Sequence, residues 1–145
     1  MAEEKNTSGK NPIQETIDNW IEGWNTQDVD QILKSYTDDA EIYDPKIKEF
    51  MPDKKELFVK GKDEIEDYIK TIWVFFPNLQ IKPVGLWIKQ KMGGAEAILE
   101  YFIYPDKEKQ AYTDAMVKFF LDKDNKIRGE FIYYGLGYKD EKEEK

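Results

Sequence analysis

The chain has 145 residues, 36% of them charged and 14% aromatic, with 30 acidic against 22 basic side chains and a net charge of −8. That length suits one domain with one core, burying roughly 70% of the surface its unfolded chain exposes. It has neither histidine nor cysteine, which excludes disulfides, thiol nucleophiles and Ser-His-Asp triads and removes the usual ligands of zinc and iron.

Residues 1–10 are polar, lack the apolar segment of a signal peptide, and read as a tail; residues 137–145 read as a second, charged tail, leaving 11–136 as the domain. No run is long enough for a membrane span, so the cytoplasm is the expected location. The first helix starts at Asn11 as cap with Pro12 in the first turn. Ile13, Ile17, Trp20, Ile21 and Trp24 then form one apolar stripe. Asp28 caps a second, shorter helix with Val29, Ile32, Leu33 and Tyr36 on one face.

A polar turn leads into a strand from about Ala40 to Asp44, where Pro45 forces the preceding residue out of the helical region and ends the strand. Residues 45–60 read as a long connection with a short strand near its end, covering a site or merely crossing the surface. Gly61 opens a third helix, with Ile65, Ile69, Ile72, Trp73 and Phe76 as its stripe, flanked by Tyr68 and closed by Pro77. Four long strands follow, Leu79–Gln90, Ala95–Tyr104, Ala111–Leu121 and Ile127–Gly135, with a kink at Gly85 and a tight turn at Gly93-Gly94. Helices segregated before an antiparallel meander predict an α+β domain.

Trp20, Trp24-Asn25, Tyr36-Thr37-Asp38-Asp39-Ala40, Asp44-Pro45, Gly61-Lys62-Asp63-Glu64-Ile65 and Phe76-Pro77, in this order, resemble the NTF2-like superfamily, in its SnoaL-like polyketide cyclase and ketosteroid isomerase branch. The resemblance spans about residues 12 to 135 and implies a cystatin-like cone, a strongly curved, mostly antiparallel sheet wrapped by three N-terminal helices around an apolar pocket. It also implies a small apolar ligand, no metal or organic cofactor, and a homodimer through the outer sheet face. In the isomerase branch the aspartate of the Asp-Pro pair is the general base, a role that falls on Asp44. The branch's two oxyanion donors fall, by spacing, on Trp20, which has one N–H to give, and Val117, which has none. Steroid isomerisation is therefore not expected, since one lost donor removes roughly 10²–10³ in rate.

The pocket expected from this reading is lined by Trp20, Trp24, Tyr68, Phe102 and Tyr134, which would desolvate Asp44 and raise its pKa. The other reading of Asp44 is a plain turn cap. Glu100 and Glu130 each interrupt an apolar strand and are read as inward, as substrate or proton partners, or as rotated outward by a bulge. Tyr36 and Tyr68 serve as hydrogen-bonding groups inside the cone or simply as core. Tyr101, Tyr112 and Met116 are expected on the outer face, at the dimer contact. Enzyme, small-molecule carrier and dimerisation module remain three open readings. Nucleic acid is not an expected partner, because the lysines are scattered among acids and Arg128 is the single arginine.

Overall fold

The computed structural model describes residues 11–106, 111–135 and 139–140. Helix α1, Pro12–Thr26, starts where the side chain of Asn11 accepts the Ile13 N–H at 2.7 Å. Its stripe Ile13, Ile17, Trp20 and Trp24 is buried, each residue contributing roughly 1.5–3 kcal/mol of hydrophobic stabilisation. Helix α2, Val29–Leu33, is capped by Asp28, which accepts the Gln31 N–H at 3.1 Å. The two helices touch at Gly23, where a Cβ would come within 2.6 Å of the Ile32 side chain.

Tyr36 does not belong to α2. It begins strand β1, Tyr36–Tyr43, because Ser35 and Tyr36 are already paired with the last long strand, Ile127 N–H donating to Ser35 O at 2.7 Å. The strand is thus longer than expected and stops one residue before Asp44. The connection that follows holds a four-residue helix, α3 (Ile47–Phe50), and then strand β2 (Phe58–Lys60) at the expected place. Helix α4 (Lys62–Phe75) leaves Gly61, whose φ of +88° favours glycine, and buries Ile65, Tyr68, Ile69 and Ile72.

The four long strands are β3 (Gln80–Lys91), β4 (Gly94–Tyr104), β5 (Ala111–Leu121) and β6 (Ile127–Tyr134). The sheet runs β2-β1-β6-β5-β4-β3; β1 lies parallel to β6, and the other neighbours are antiparallel. A short strand β7 (Lys139–Asp140) pairs with the start of β5, so this part of the expected charged tail is ordered; residues 1–10 and 141–145 lie outside the described residues. Register shifts at Val84 in β3, at Arg128 in β6 and within β1 bend the sheet over α1 and α4. Asn25 ties α1 to the edge strand β3, its amide giving to Ile81 O at 2.9 Å and taking the Ile81 N–H at 2.7 Å.

Facing along β4 corrects the sequence reading. Ala95, Ala97, Leu99 and Tyr101 are buried on the helix side, so Glu96, Ile98, Glu100 and Phe102 face outward. Glu96 pairs there with Lys91 and Lys118, and Phe102 packs on Tyr112 at 4.8 Å. Small residues alternating with long ones decide this: Ala95 and Ala97 leave room for the helices, and two carboxylates on that side would be stranded. Glu100 and Phe102 are therefore not pocket residues, and Tyr101 is not an outer-face residue.

Candidate functional site

In β6 the extra residue at Arg128 reverses the alternation, so that after Ile127 the inward residues become Glu130, Ile132 and Tyr134. A bulge thus turns Glu130 into the core rather than out of it. Its carboxyl is 1% exposed. The Tyr36 hydroxyl donates to Glu130 Oε1 at 2.5 Å and accepts the Trp20 indole N–H at 2.8 Å. Trp20 consequently spends its only donor inside the wall. Among the described residues Glu130 Oε2 has no hydrogen-bond partner. Burial, with a smaller push from the nearby Asp44, raises the Glu130 pKa to about 8 against the opposing Tyr36 hydrogen bond.

Asp44 is 1% exposed and does both things the sequence allowed. Its Oδ1 accepts the Lys46 N–H at 2.9 Å, closing the turn that Pro45 starts. Its Oδ2 accepts the hydroxyls of Tyr68 and, at 3.1 Å, Tyr134. Burial raises the Asp44 pKa, opposed by those three hydrogen bonds. The carboxylates in turn push Tyr36, Tyr68 and Tyr134, already desolvated, further above the ordinary tyrosine value. All three phenols remain protonated in the folded chain.

Four of these groups, Trp20, Tyr68, Glu130 and Tyr134, border a cavity of about 110 Å³ between the helices and the inner sheet face. Trp20, Trp24, Tyr68, Glu130 and Tyr134 stand on its wall, with Ile72, Ile81 and Ile132 among the apolar residues between them. Exposed Glu49 and half-buried Lys46, whose ammonium lies 4.7 Å from the centre of the Tyr134 ring, mark the side that meets solvent. Asp44 and Tyr36 sit one layer behind, touching the wall through hydrogen bonds; Val117 is fully buried on the sheet but off the cavity. The sequence reading missed Tyr101 and Thr113, both on the wall. Their signal was the Ala95-Ala97-Leu99 alternation, carried across the β4–β5 register. An enclosed apolar cavity of about 150 Å³ holds a benzene ring; the space here is smaller and is open to solvent beside Lys46 and Glu49, so it suits a small molecule of at most one ring.

Chemically, the arrangement sets two buried carboxyl groups in unlike surroundings. Glu130 is held by one hydrogen bond and retains its proton near neutral pH, whereas Asp44 is held by three. Environments that separate two carboxyls in this way assign one as acid and the other as base.

Residues 17–129 match the family model of the SnoaL-like domain. A comparison with curated proteins finds no match. Among solved structures, a SnoaL-like protein of unknown function from Burkholderia thailandensis shares 19% identity at a TM-score of 0.70, over 86% of this chain and 95% of that one. SalBIII, an epoxide hydrolase/cyclase-like enzyme of pyran ring formation in the polyether salinomycin, shares 20% at a TM-score of 0.63, over 86% and 91%. RV0760c of Mycobacterium tuberculosis, solved with estradiol-17beta-hemisuccinate, shares 16% at 0.67, over 88% and 96%. Other similar structures are described as cystatin-like or NTF2-like, which is the fold seen here. At these identities the likeness is one of fold.

Proposed function

The chain belongs to the SnoaL-like domain family, and from that premise we propose that it binds a small, largely apolar, oxygen-bearing molecule in the cavity and moves a proton on it. Glu130 is the acid: its free oxygen faces the cavity with the proton in place at neutral pH. Asp44 is the base, reached where the Tyr134 hydroxyl, on the longer of the two phenol bonds, yields its place to the ligand. The proton taken by Asp44 is matched by one delivered from Glu130, so the net change is an isomerisation or a ring closure with no atom gained. The observation that carries this reading is Glu130, a residue 1% exposed with one carboxyl oxygen that has no hydrogen-bond partner among the described residues, on the cavity wall.

A second reading is favoured by the place of Asp44 behind two tyrosines, where it also closes a turn: a carrier that binds the same molecule without chemistry. The test is uptake of solvent deuterium beside the carbonyl of cyclohexanone, followed by NMR. Asp44→Asn should slow the exchange 10²-fold or more while leaving ketone binding intact, the size of effect a general base supplies. Binding with no exchange above background in the wild type would instead establish the carrier.

A second copy of the chain is part of the same proposal. Trp87, Met116 and Tyr133 stand exposed on the outer sheet face, at 57, 41 and 56% of their full exposure, beside Phe120 and Phe131. These apolar side chains, set among the paired charges of Glu96 and Lys118, are suited to a self-complementary contact about a two-fold axis.

A further inference from the structure

Two buried carboxyl groups stand at the cavity, Glu130 on its wall and Asp44 one layer behind, and Glu130 has no ion-pair partner among the described residues. The Tyr36 hydroxyl holds its Oε1, while Oε2 is neither hydrogen-bonded within the described residues nor sealed in protein. Around it the wall is made largely of rings and of oxygen atoms that can accept. Trp20, Trp24, Tyr68, Tyr101 and Tyr134 supply the rings. Tyr68 and Tyr134 donate hydrogen bonds to Asp44, which leaves lone pairs on their own oxygens, and Tyr101 and Thr113 add two more hydroxyls. Among the described residues Lys46 is the one cationic side chain on the wall. It lies on the solvent side, its ammonium 4.7 Å from the centre of the Tyr134 ring, with exposed Glu49 on the same side.

We propose that the cavity also takes small organic ammonium ions, with the N–H groups on Glu130 Oε2 and the hydrocarbon body among the rings. This rests on the cavity-binding part of the reading above and not on the proton transfer. An ammonium has donors and no acceptor, so each N–H can find a carboxylate or hydroxyl oxygen on this wall. Its charge is drawn to the faces of tryptophan and tyrosine, an attraction that strengthens where water is excluded. A neutral ring of the same size gains neither. Burial holds the Glu130 pKa at about 8, and an arriving positive charge opposes that push, so Glu130 gives its proton to solvent while the ligand keeps its own. One proton therefore leaves for each ammonium bound near neutral pH. The other ionisable groups around the site are Asp44, the phenols of Tyr36, Tyr68, Tyr101 and Tyr134, and Lys46 and Glu49 on the solvent side. The phenols, all raised, stay neutral, and Asp44, raised by burial like Glu130, acts in the same sense. A seated ammonium leaves Glu130 without the proton it is to deliver, and so blocks the proposed chemistry.

The test titrates the full chain by NMR at about pH 6, 7 and 8 with cyclohexylamine, an ammonium ion throughout that range, and with cyclohexanol, a neutral ring of the same size. Wild type should bind the ammonium about tenfold more tightly than the alcohol at the highest pH. Its affinity for the ammonium should rise about tenfold over the first pH unit and less steeply over the second, while that for the alcohol stays level. Glu130→Gln should lose both the preference and the slope, and should keep cyclohexanol within about twofold of wild type, which checks that the cavity is intact. If the variant binds the ammonium as tightly as wild type does, the cation is not seated on Glu130 and the proposal falls. A wild-type ammonium affinity that stays level with pH also overturns it, and that measurement needs no variant. If cyclohexanone binds and cyclohexylamine does not, this proposal fails while the cavity remains a binding site. If neither binds, the cavity-binding reading itself fails, and this proposal with it.

Discussion

The Tyr36 hydroxyl reaches Glu130 Oε1 at 2.5 Å, joining two residues 94 positions apart in the chain. It is the one hydrogen bond that holds the acid of the proposed pair, and it fixes which oxygen turns to the cavity.

Glu130 should make stability fall as pH rises. Its folded pKa of about 8 lies above the ordinary 4.5, so the folded chain keeps a proton that the unfolded chain releases. That contribution is fully present below about pH 4.5 and is lost as pH climbs through about 8. Asp44, also raised by burial, acts in the same direction. Against Glu130→Gln, wild type should lose up to about 1.4 kcal/mol per pH unit across this window, measured by urea midpoints at pH 5, 6, 7 and 8. A difference that stays flat would mean that Glu130 is ionised in the fold.

Asp44 should separate by substitution. In Asp44→Asn the side-chain oxygen still takes the Lys46 N–H, and the two phenols can turn to accept from the amide; the change at pH 7 should stay within about 1 kcal/mol. Asp44→Ala strands two buried hydroxyls and a backbone N–H, and should cost about 2–4 kcal/mol. Equal losses in the two variants would reduce Asp44 to its negative charge alone.

Asn25→Leu should destabilise by about 2 kcal/mol, because both polar groups of the Ile81 backbone lose their partner at once on an edge strand. Ile81 is on the cavity wall, so ligand affinity should fall with it, whereas Thr26→Ala beside it, losing only a bond within the helix, should leave affinity unchanged. Thermal melts and cyclohexanone titration of the two variants give the comparison.

Met116→Asp should leave the fold intact and abolish the proposed dimer. Met116 faces outward with 41% of its surface free, so a charge there costs the monomer little. Light scattering should give about twice 17.2 kDa for wild type and 17.2 kDa for the variant. A wild type of 17.2 kDa at high concentration would leave the outer face without a second copy.

Much of this was legible in the sequence, for reasons that differ by element. The helix starts at Asn11 and Asp28 were readable because a capping side chain acts on its own next turn. The β3–β4 turn was readable because Gly93 needs a φ of +80°. The facing of β4 is not, since the strict alternation of Glu96, Ile98, Glu100 and Phe102 with Ala95, Ala97, Leu99 and Tyr101 fits either face of the sheet; the structure takes Glu100 and Phe102 out of the site and brings Tyr101 onto its wall. In β6 the two facings open to Glu130 are decided by a bulge at Arg128, which reverses the parity that Ile127 begins and turns Glu130 inward. The use of the Trp20 N–H is beyond reach of the sequence, because the apolar spacing puts its partner Tyr36 on a helix face, whereas Tyr36 lies on the strand that aims it at Glu130.

The parallel pairing of β1 with β6 bears on how the protein is made. Ribosomes deliver Asp44, both tryptophan-bearing helices and the β3–β4 hairpin well before Glu130, and the edge of β1 away from β2 has nothing to pair with until β6 emerges. Contacts so distant in sequence form late and slowly. A growing chain therefore carries Asp44 without Glu130, and the proposed site is complete only when β6 closes alongside β1.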